Sequence, residues 1–133
     1  MLGLGLTTEQ IIEILSAYAA PQSEVAAVAD TPGWAVLGAF EMPITADEIV
    51  LSVVGSVSDA SLTMRVRLFC ITPTFVGEVS GSIATITSTT DVQVNSGSFE
   101  LTGGRLYQFQ AEVTGDDGDE FFGVVESAAV SNA

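Results

Sequence analysis

The chain has 133 residues, 47% of them hydrophobic, and its three Lys plus Arg against seventeen Asp plus Glu give a formal net charge of −14 at pH 7. Such an acidic surface repels phosphate backbones and anionic lipid headgroups, which argues against direct nucleic-acid binding and against membrane binding. The sequence contains no His and no Lys. Because these are the common proton shuttles and bases, we expect no enzyme activity.

The mean hydropathy of +0.48 is high for a soluble domain. No run of residues approaches the ~20 apolar residues of a membrane-spanning helix, and the first residues, "MLGLGLTTEQ", lack the cationic region of a signal peptide. Two explanations of the apolar excess stay open: burial against other subunits, or a well-filled monomer core. The one cysteine, Cys70, lies in an apolar run and is expected to be a small core residue.

At the N-terminus, "MLGLGL" alternates Leu with Gly, and Leu2, Leu4 and Leu6 offer apolar side chains on a flexible backbone. This segment is either a frayed terminus or an arm that docks on a neighbouring subunit.

A helix is predicted next. Its apolar stripe recurs with helical spacing, Pro21 ends it, and capping-box spacing marks its start. The stripe consists of Ile11, Ile14, Leu15 and Tyr18. It must pack on the main body or on a partner.

From Trp34 onward the hydrophobic period changes to two. Roughly eight short strands separated by turn signals predict an all-β domain, an antiparallel β-sandwich preceded by a short N-terminal α-helix. We expect residues 1–30 to form an anchoring arm and helix and residues 31–133 to form the sandwich. The strands are read from "WAVLGAFEMP", "EIVLSVVGSVS", "SLTMRVRLFCIT", "GEVSGSIATITS", "TTDVQVNSG", "SGSFELTGG", "RLYQFQAEVTG" and "FFGVVESAAVS".

Two of the three cations, Arg65 and Arg67, lie two residues apart in the third of these strands. The opposite face of the strand carries the core residues Leu62, Met64, Val66, Leu68 and Cys70. Both arginines are therefore expected on the outward face of their sheet. They pair either within the chain, with Glu112 as a candidate, or with an acidic patch on an adjacent subunit.

The acidic loop "DDGDE" offers the best candidate metal site. Asp116, Asp117, Asp119 and Glu120 supply the carboxylate oxygens that Ca²⁺ favours, but the spacing is not that of an EF-hand. A solvated hairpin tip is the competing interpretation, and we expect no bound cofactor.

Three aromatic residues, Tyr18, Trp34 and Tyr107, are candidates for a sugar-stacking surface. Tyr107 alternates in phase with Phe109 and is expected in the core. Trp34 follows a turn and is expected to be a core plug.

From about residue 48 to 130 the chain resembles small structural proteins of tailed bacteriophages. The similarity rests on the order of "VRLF", "ITSTTD", "LTGGRLYQFQAEV" and "FFGVVESA". "LTGGRLYQFQAEV" also resembles the penultimate strand of jelly-roll carbohydrate-binding domains. The resemblance implies a jelly-roll-like sandwich and a non-enzymatic virion protein, most simply a capsid decoration or cement protein on the capsid exterior.

The partners implied are the major capsid protein or other virion subunits, and further copies of the chain, with a trimer expected. Cement proteins bury apolar area across subunits, so the expected partner-binding residues are apolar or cationic. These residues are Leu2, Leu4, Leu6, Ile11, Leu15, Arg65 and Arg67. The alternatives are a carbohydrate-binding module of a tail or head fibre for host attachment, with a surface glycan as partner, and a tail or collar component.

Overall fold

The computed structural model describes residues 26–29, 33–115 and 122–132 of the chain. The predicted N-terminal arm and helix, with Leu2, Leu4, Leu6, Ile11 and Leu15, lie outside these residues. So does the acidic loop with Asp116, Asp117, Asp119 and Glu120.

The described residues form ten β-strands and no helix. The strands are β1 (Ala26–Ala29), β2 (Ala35–Glu41), β3 (Ala46–Val57), β4 (Thr63–Cys70), β5 (Gly77–Glu78), β6 (Ala84–Ile86), β7 (Val92–Asn95), β8 (Phe99–Leu101), β9 (Leu106–Thr114) and β10 (Phe122–Asn132). Every pairing between them is antiparallel. The all-β, antiparallel class expected from the two-residue period is therefore confirmed.

The strands form two five-stranded sheets. Sheet A has the order β1-β10-β3-β7, with β8 also paired to β3, and sheet B has the order β2-β9-β4-β5, with β6 also paired to β4. The short strands β5 and β6 share one edge of β4, and β7 and β8 share one edge of β3. One expected strand, predicted in "GEVSGSIATITS", is interrupted and forms β5 and β6, and β1 was not expected, which is why ten strands are found where about eight were expected.

One hydrophobic core receives side chains from both sheets. Strand β4 alternates without a break, and its predicted inward residues are all buried: Leu62, Met64, Val66, Leu68 and Cys70. At the middle of the core, Phe109 is fully buried and its ring centroid lies 5.4 Å from that of Phe40. The predicted inward face of β4 is therefore confirmed, and Cys70 is a buried free thiol, as expected.

Strand β1 lies within the segment that was expected to form the N-terminal arm. Ala26–Ala29 pairs with β10 from Val125 to Phe122. Sheet A therefore includes residues on the N-terminal side of the expected boundary at residue 31. An Ala-rich run carries no two-residue alternation of apolar and polar side chains, so the sequence pattern did not reveal this strand.

The turn between β3 and β4 is held by a carboxylate. Asp59 Oδ1 accepts hydrogen bonds from the Ser61 backbone N–H at 2.8 Å and from the Ser61 hydroxyl at 2.7 Å. These two bonds favour the charged form and lower the pKa of the exposed Asp59 carboxyl below its usual value.

In the part of the chain that the structure describes, no helix is long and apolar enough to cross a membrane.

Close approach between β3 and β10 requires a glycine at position 55. A Cβ atom there would lie 2.3 Å from the carbonyl oxygen of Val124. Next to this contact, β10 changes register between Val125 and Ser127. The bulge brings the two backbones together, and only glycine leaves room for it.

We predict that Gly55→Ala lowers the free energy of unfolding by about 1–3 kcal/mol, because the backbone oxygen cannot move aside without breaking the pairing. Gly97→Ala is the matched control, since its Cβ would meet only the Gly81 carbonyl oxygen at 3.7 Å. Its effect should stay within about 0.5 kcal/mol. Urea denaturation measures both variants, and equal stabilities would contradict the close-approach argument.

Candidate functional site on the outward face of sheet B

The outward face of sheet B carries two of the three cations of the chain. In the register of β4 and β9, Arg65 lies opposite Glu112 and Arg67 lies opposite Gln110. Because alternate side chains of a strand share a face, all four project away from the core. This confirms the predicted orientation of the two arginines.

Arg65 forms an ion pair with Glu112 through its NH2 atom. The Glu112 side chain is 12% exposed and that of Arg65 is 43% exposed. The intramolecular alternative with Glu112 therefore accounts for the guanidinium of Arg65. A partly exposed pair of this kind contributes little to stability, about 1 kcal/mol.

Arg67 is enclosed more completely, with its side chain 14% exposed. Its Nε and NH2 atoms donate to Gln110 Oε1 at 3.0 and 2.9 Å, and its NH1 atom donates to Glu78 Oε1 at 3.0 Å. The fork of donors is thus shared between an amide and a carboxylate on the two strands that flank β4. This bridging across three strands suits a planar guanidinium better than an ammonium group.

The guanidinium of Arg67 also stacks on aromatic rings. Its central carbon lies 3.8 Å from the ring centroid of Trp34 and 4.8 Å from that of Phe69. Trp34 is half-buried on the outward face, so the expectation that it plugs the core is wrong. The cause is a register shift between Val36 and Gly38, which turns the residues before it to the opposite face.

A chain of polar groups continues from Arg67 along β9. Gln110, itself only 8% exposed, donates from Nε2 to Gln108 Oε1 at 3.0 Å. Within the described residues the Gln108 amide nitrogen has no hydrogen-bond partner. The face therefore presents one free amide donor beside an aromatic ring and a stacked guanidinium.

Tyr107 belongs to the core and not to this face. It is 2% exposed, its ring lies 5.8 Å from that of Phe40, and its hydroxyl accepts a hydrogen bond from the Thr102 N–H at 2.8 Å. Its expected core position is confirmed, and it cannot serve as a stacking platform.

A second exposed feature lies at the end of sheet B where β4 ends and β9 begins. Phe75, Val76 and Leu106 are exposed there, and the guanidinium of Arg105 lies 3.7 Å from the Phe75 ring centroid. We call Phe75, Val76 and Leu106 the Phe75 tip. The sequence pattern did not single it out, although an apolar pair between Thr74 and Gly77 is a recognisable signal.

Among the described residues, no three His, Cys, Asp or Glu side chains come together as a metal site. The acidic loop lies outside these residues, so the calcium hypothesis remains a prediction.

No protein-family model matches the chain, and comparison with curated proteins found no match.

We predict that Arg67→Lys lowers the free energy of unfolding by about 1–2 kcal/mol, because lysine cannot keep both hydrogen-bond partners and the stacking. The variant should also change the fluorescence emission of Trp34, the one tryptophan of the chain. Arg105→Lys is the control, since Arg105 stacks on Phe75 instead. An unchanged Trp34 emission in Arg67→Lys would contradict the described stacking.

Proposed function

We propose that the chain is a non-enzymatic structural protein of a tailed-bacteriophage virion, in which it decorates the outer capsid surface. We further propose that its two sheets form a jelly-roll sandwich. The resemblance from residue 48 to 130 suggests this function, and the strand order is the observation that carries it.

The strand order supports the jelly-roll proposal as follows. If β5 with β6 and β7 with β8 are each counted as one interrupted strand, eight strands remain, four in each sheet. The chain then changes sheet at every connection except the one from β4 to β5. A double sheet of eight antiparallel strands is the jelly-roll arrangement, which is found in viral capsid proteins and lectins.

Charge supports an exterior position on a shell. A chain with a net charge of −14 would be repelled by packaged DNA, whereas the outside of a capsid keeps it apart from the nucleic acid. Exposed apolar side chains such as those of the Phe75 tip provide area that a neighbouring subunit can bury. The proposed partners are the major capsid protein or other virion subunits.

The N-terminal segment is proposed as the anchor. Leu2, Leu4, Leu6, Ile11 and Leu15 would supply its apolar contacts. Arg65 and Arg67 contribute less in this proposal, because both guanidinium groups already bind carboxylates of their own chain. A new partner would have to compete with those contacts.

We predict that a chain lacking residues 1–20 no longer associates with virions, because its apolar anchor is removed, while its sheets still fold. Quantitative mass spectrometry of purified particles measures the association, and far-UV circular dichroism checks the fold. As the control, the full-length protein should be present on the particles in as many copies as the shell has positions for it. A truncated chain that binds capsids as well as the full-length chain would contradict the anchor, and a full-length chain that binds no particle would contradict the function.

A second candidate function is glycan binding on the outward face of sheet B. The observation that favours it is the row of Trp34, Arg67, Gln110 and Gln108, which joins an aromatic ring to amide groups. Sugars bind to such surfaces through stacking and through hydrogen bonds to polar groups.

For this second function we predict binding on a glycan array that Gln108→Ala weakens about tenfold, since the variant loses the free amide donor. Gln93→Ala, an exposed glutamine on strand β7 of sheet A, should leave the binding unchanged. An array without any binding glycan would exclude the second candidate and leave the capsid proposal standing.

A further inference from the structure

The three side chains of the Phe75 tip are all exposed and apolar. The exposed fractions are 51% for Phe75, 61% for Val76 and 41% for Leu106. The three residues lie at one end of sheet B, because the β4–β5 connection folds beside the start of β9. A cluster of exposed apolar side chains is a candidate surface for contact with another protein.

The loop that carries the tip is held in place. The Ile71 N–H donates to the Leu106 carbonyl oxygen at 3.0 Å, and the Leu106 N–H donates to Thr72 Oγ1 at 2.8 Å. A further bond from the Phe75 N–H to the Thr72 carbonyl oxygen, at 3.0 Å, closes the turn. The apolar side chains are therefore presented on a tied loop.

The backbone of this loop is strained at Thr74, whose φ of 75° lies in the left-handed region. A β-branched residue rarely adopts this conformation, and such strain concentrates where a structure presents side chains for function. At Thr74 the strain accompanies the outward presentation of the next two residues, Phe75 and Val76.

The charges beside the tip are of both signs. Arg105 stacks on Phe75 and makes no ion pair with any residue that the structure describes, in contrast to Arg65 and Arg67. Glu41 lies directly opposite Leu106 in the pairing of β2 with β9. Glu41 is exposed and, among the described residues, has no cationic partner either.

We propose that the Phe75 tip is the contact surface for a second copy of this chain, related by a two-fold axis. A two-fold interface places the same patch on both subunits, so the patch must be complementary to itself. An apolar centre next to one cation and one carboxylate, neither of them in an ion pair among the described residues, meets this condition. Arg105 of each copy then pairs with Glu41 of the other, and the apolar side chains meet between the two pairs.

Net charge strengthens the choice of this surface. Two copies of a chain with charge −14 repel each other over most of their surfaces. Association is favoured where a cation free of any carboxylate in its own chain faces the partner. Arg105 is such a cation within the described residues, and it lies at the apolar patch. A two-fold contact of this kind predicts a dimer, in place of the trimer expected from the sequence.

Sedimentation equilibrium of the full-length chain at about 0.15 M ionic strength tests the proposal. The wild-type chain should dimerise, and the double variant Phe75→Ser, Val76→Ser should weaken the dimer about a hundredfold, because the interface contains each change twice. Val36→Ser is the matched control: Val36 is 58% exposed but lies on the outward face of sheet B away from the tip. Circular dichroism verifies that each variant is folded.

A charge exchange tests the pairing itself. Arg105→Glu and Glu41→Arg should each weaken the dimer about tenfold or more, since each change puts like charges together twice. The double variant Arg105→Glu, Glu41→Arg should recover most of the wild-type association. Failure to recover it would overturn the pairing of these two residues.

A wild-type chain that sediments as a monomer at every concentration would overturn the proposal. It is the result expected if residues 1–25 of the same chain cover the tip. A dimer that persists in the Phe75→Ser, Val76→Ser variant would overturn it as well. Neither result bears on capsid binding, because a monomer that still decorates particles would leave the proposed function intact.

Discussion

The fold depends on the burial of alternate side chains from two antiparallel sheets in one core. Strand β4 is the centre of this arrangement, because it pairs along its whole length with β9 and buries every second residue from Leu62 to Cys70. A slip of one residue would bring Arg65 and Arg67 into the core and expose Met64 and Val66. The free-energy cost of burying two guanidinium groups is far larger than the stabilisation that any outward contact contributes. The register of β4 is therefore strongly specified.

The same alternation determines what the outward face of sheet B can do. Since the arginines must point outward, they meet the outward residues of the neighbouring strands, Glu112 and Gln110 on β9 and Glu78 on β5. The guanidinium of Arg67 then fills the space between Trp34 and Phe69. Both guanidinium groups of this face find partners within the chain, which makes the face a stabilising network first and a binding surface second.

Arg105 contrasts with both of these arginines. It stacks on an exposed ring and pairs with no carboxylate among the described residues, beside apolar side chains that water surrounds. A chain with few cations thus has two of them within its own sheet and a third beside an exposed apolar cluster of the described residues. This distribution is the basis of the proposed two-fold contact at the end of sheet B.

The sequence by itself determined the class of the fold, the inward face of β4 and β9, the core position of Tyr107 and the outward direction of Arg65 and Arg67. These features follow from the two-residue period, a local property that needs no knowledge of the neighbours. Only the tertiary structure decided that Trp34 faces outward, that Ala26–Ala29 extends sheet A, and that Phe75, Arg105 and Glu41 lie at the same end of sheet B. The physical reason is that bulges, edge strands and loop contacts depend on which strands become neighbours, and residues far apart in the chain make those pairings.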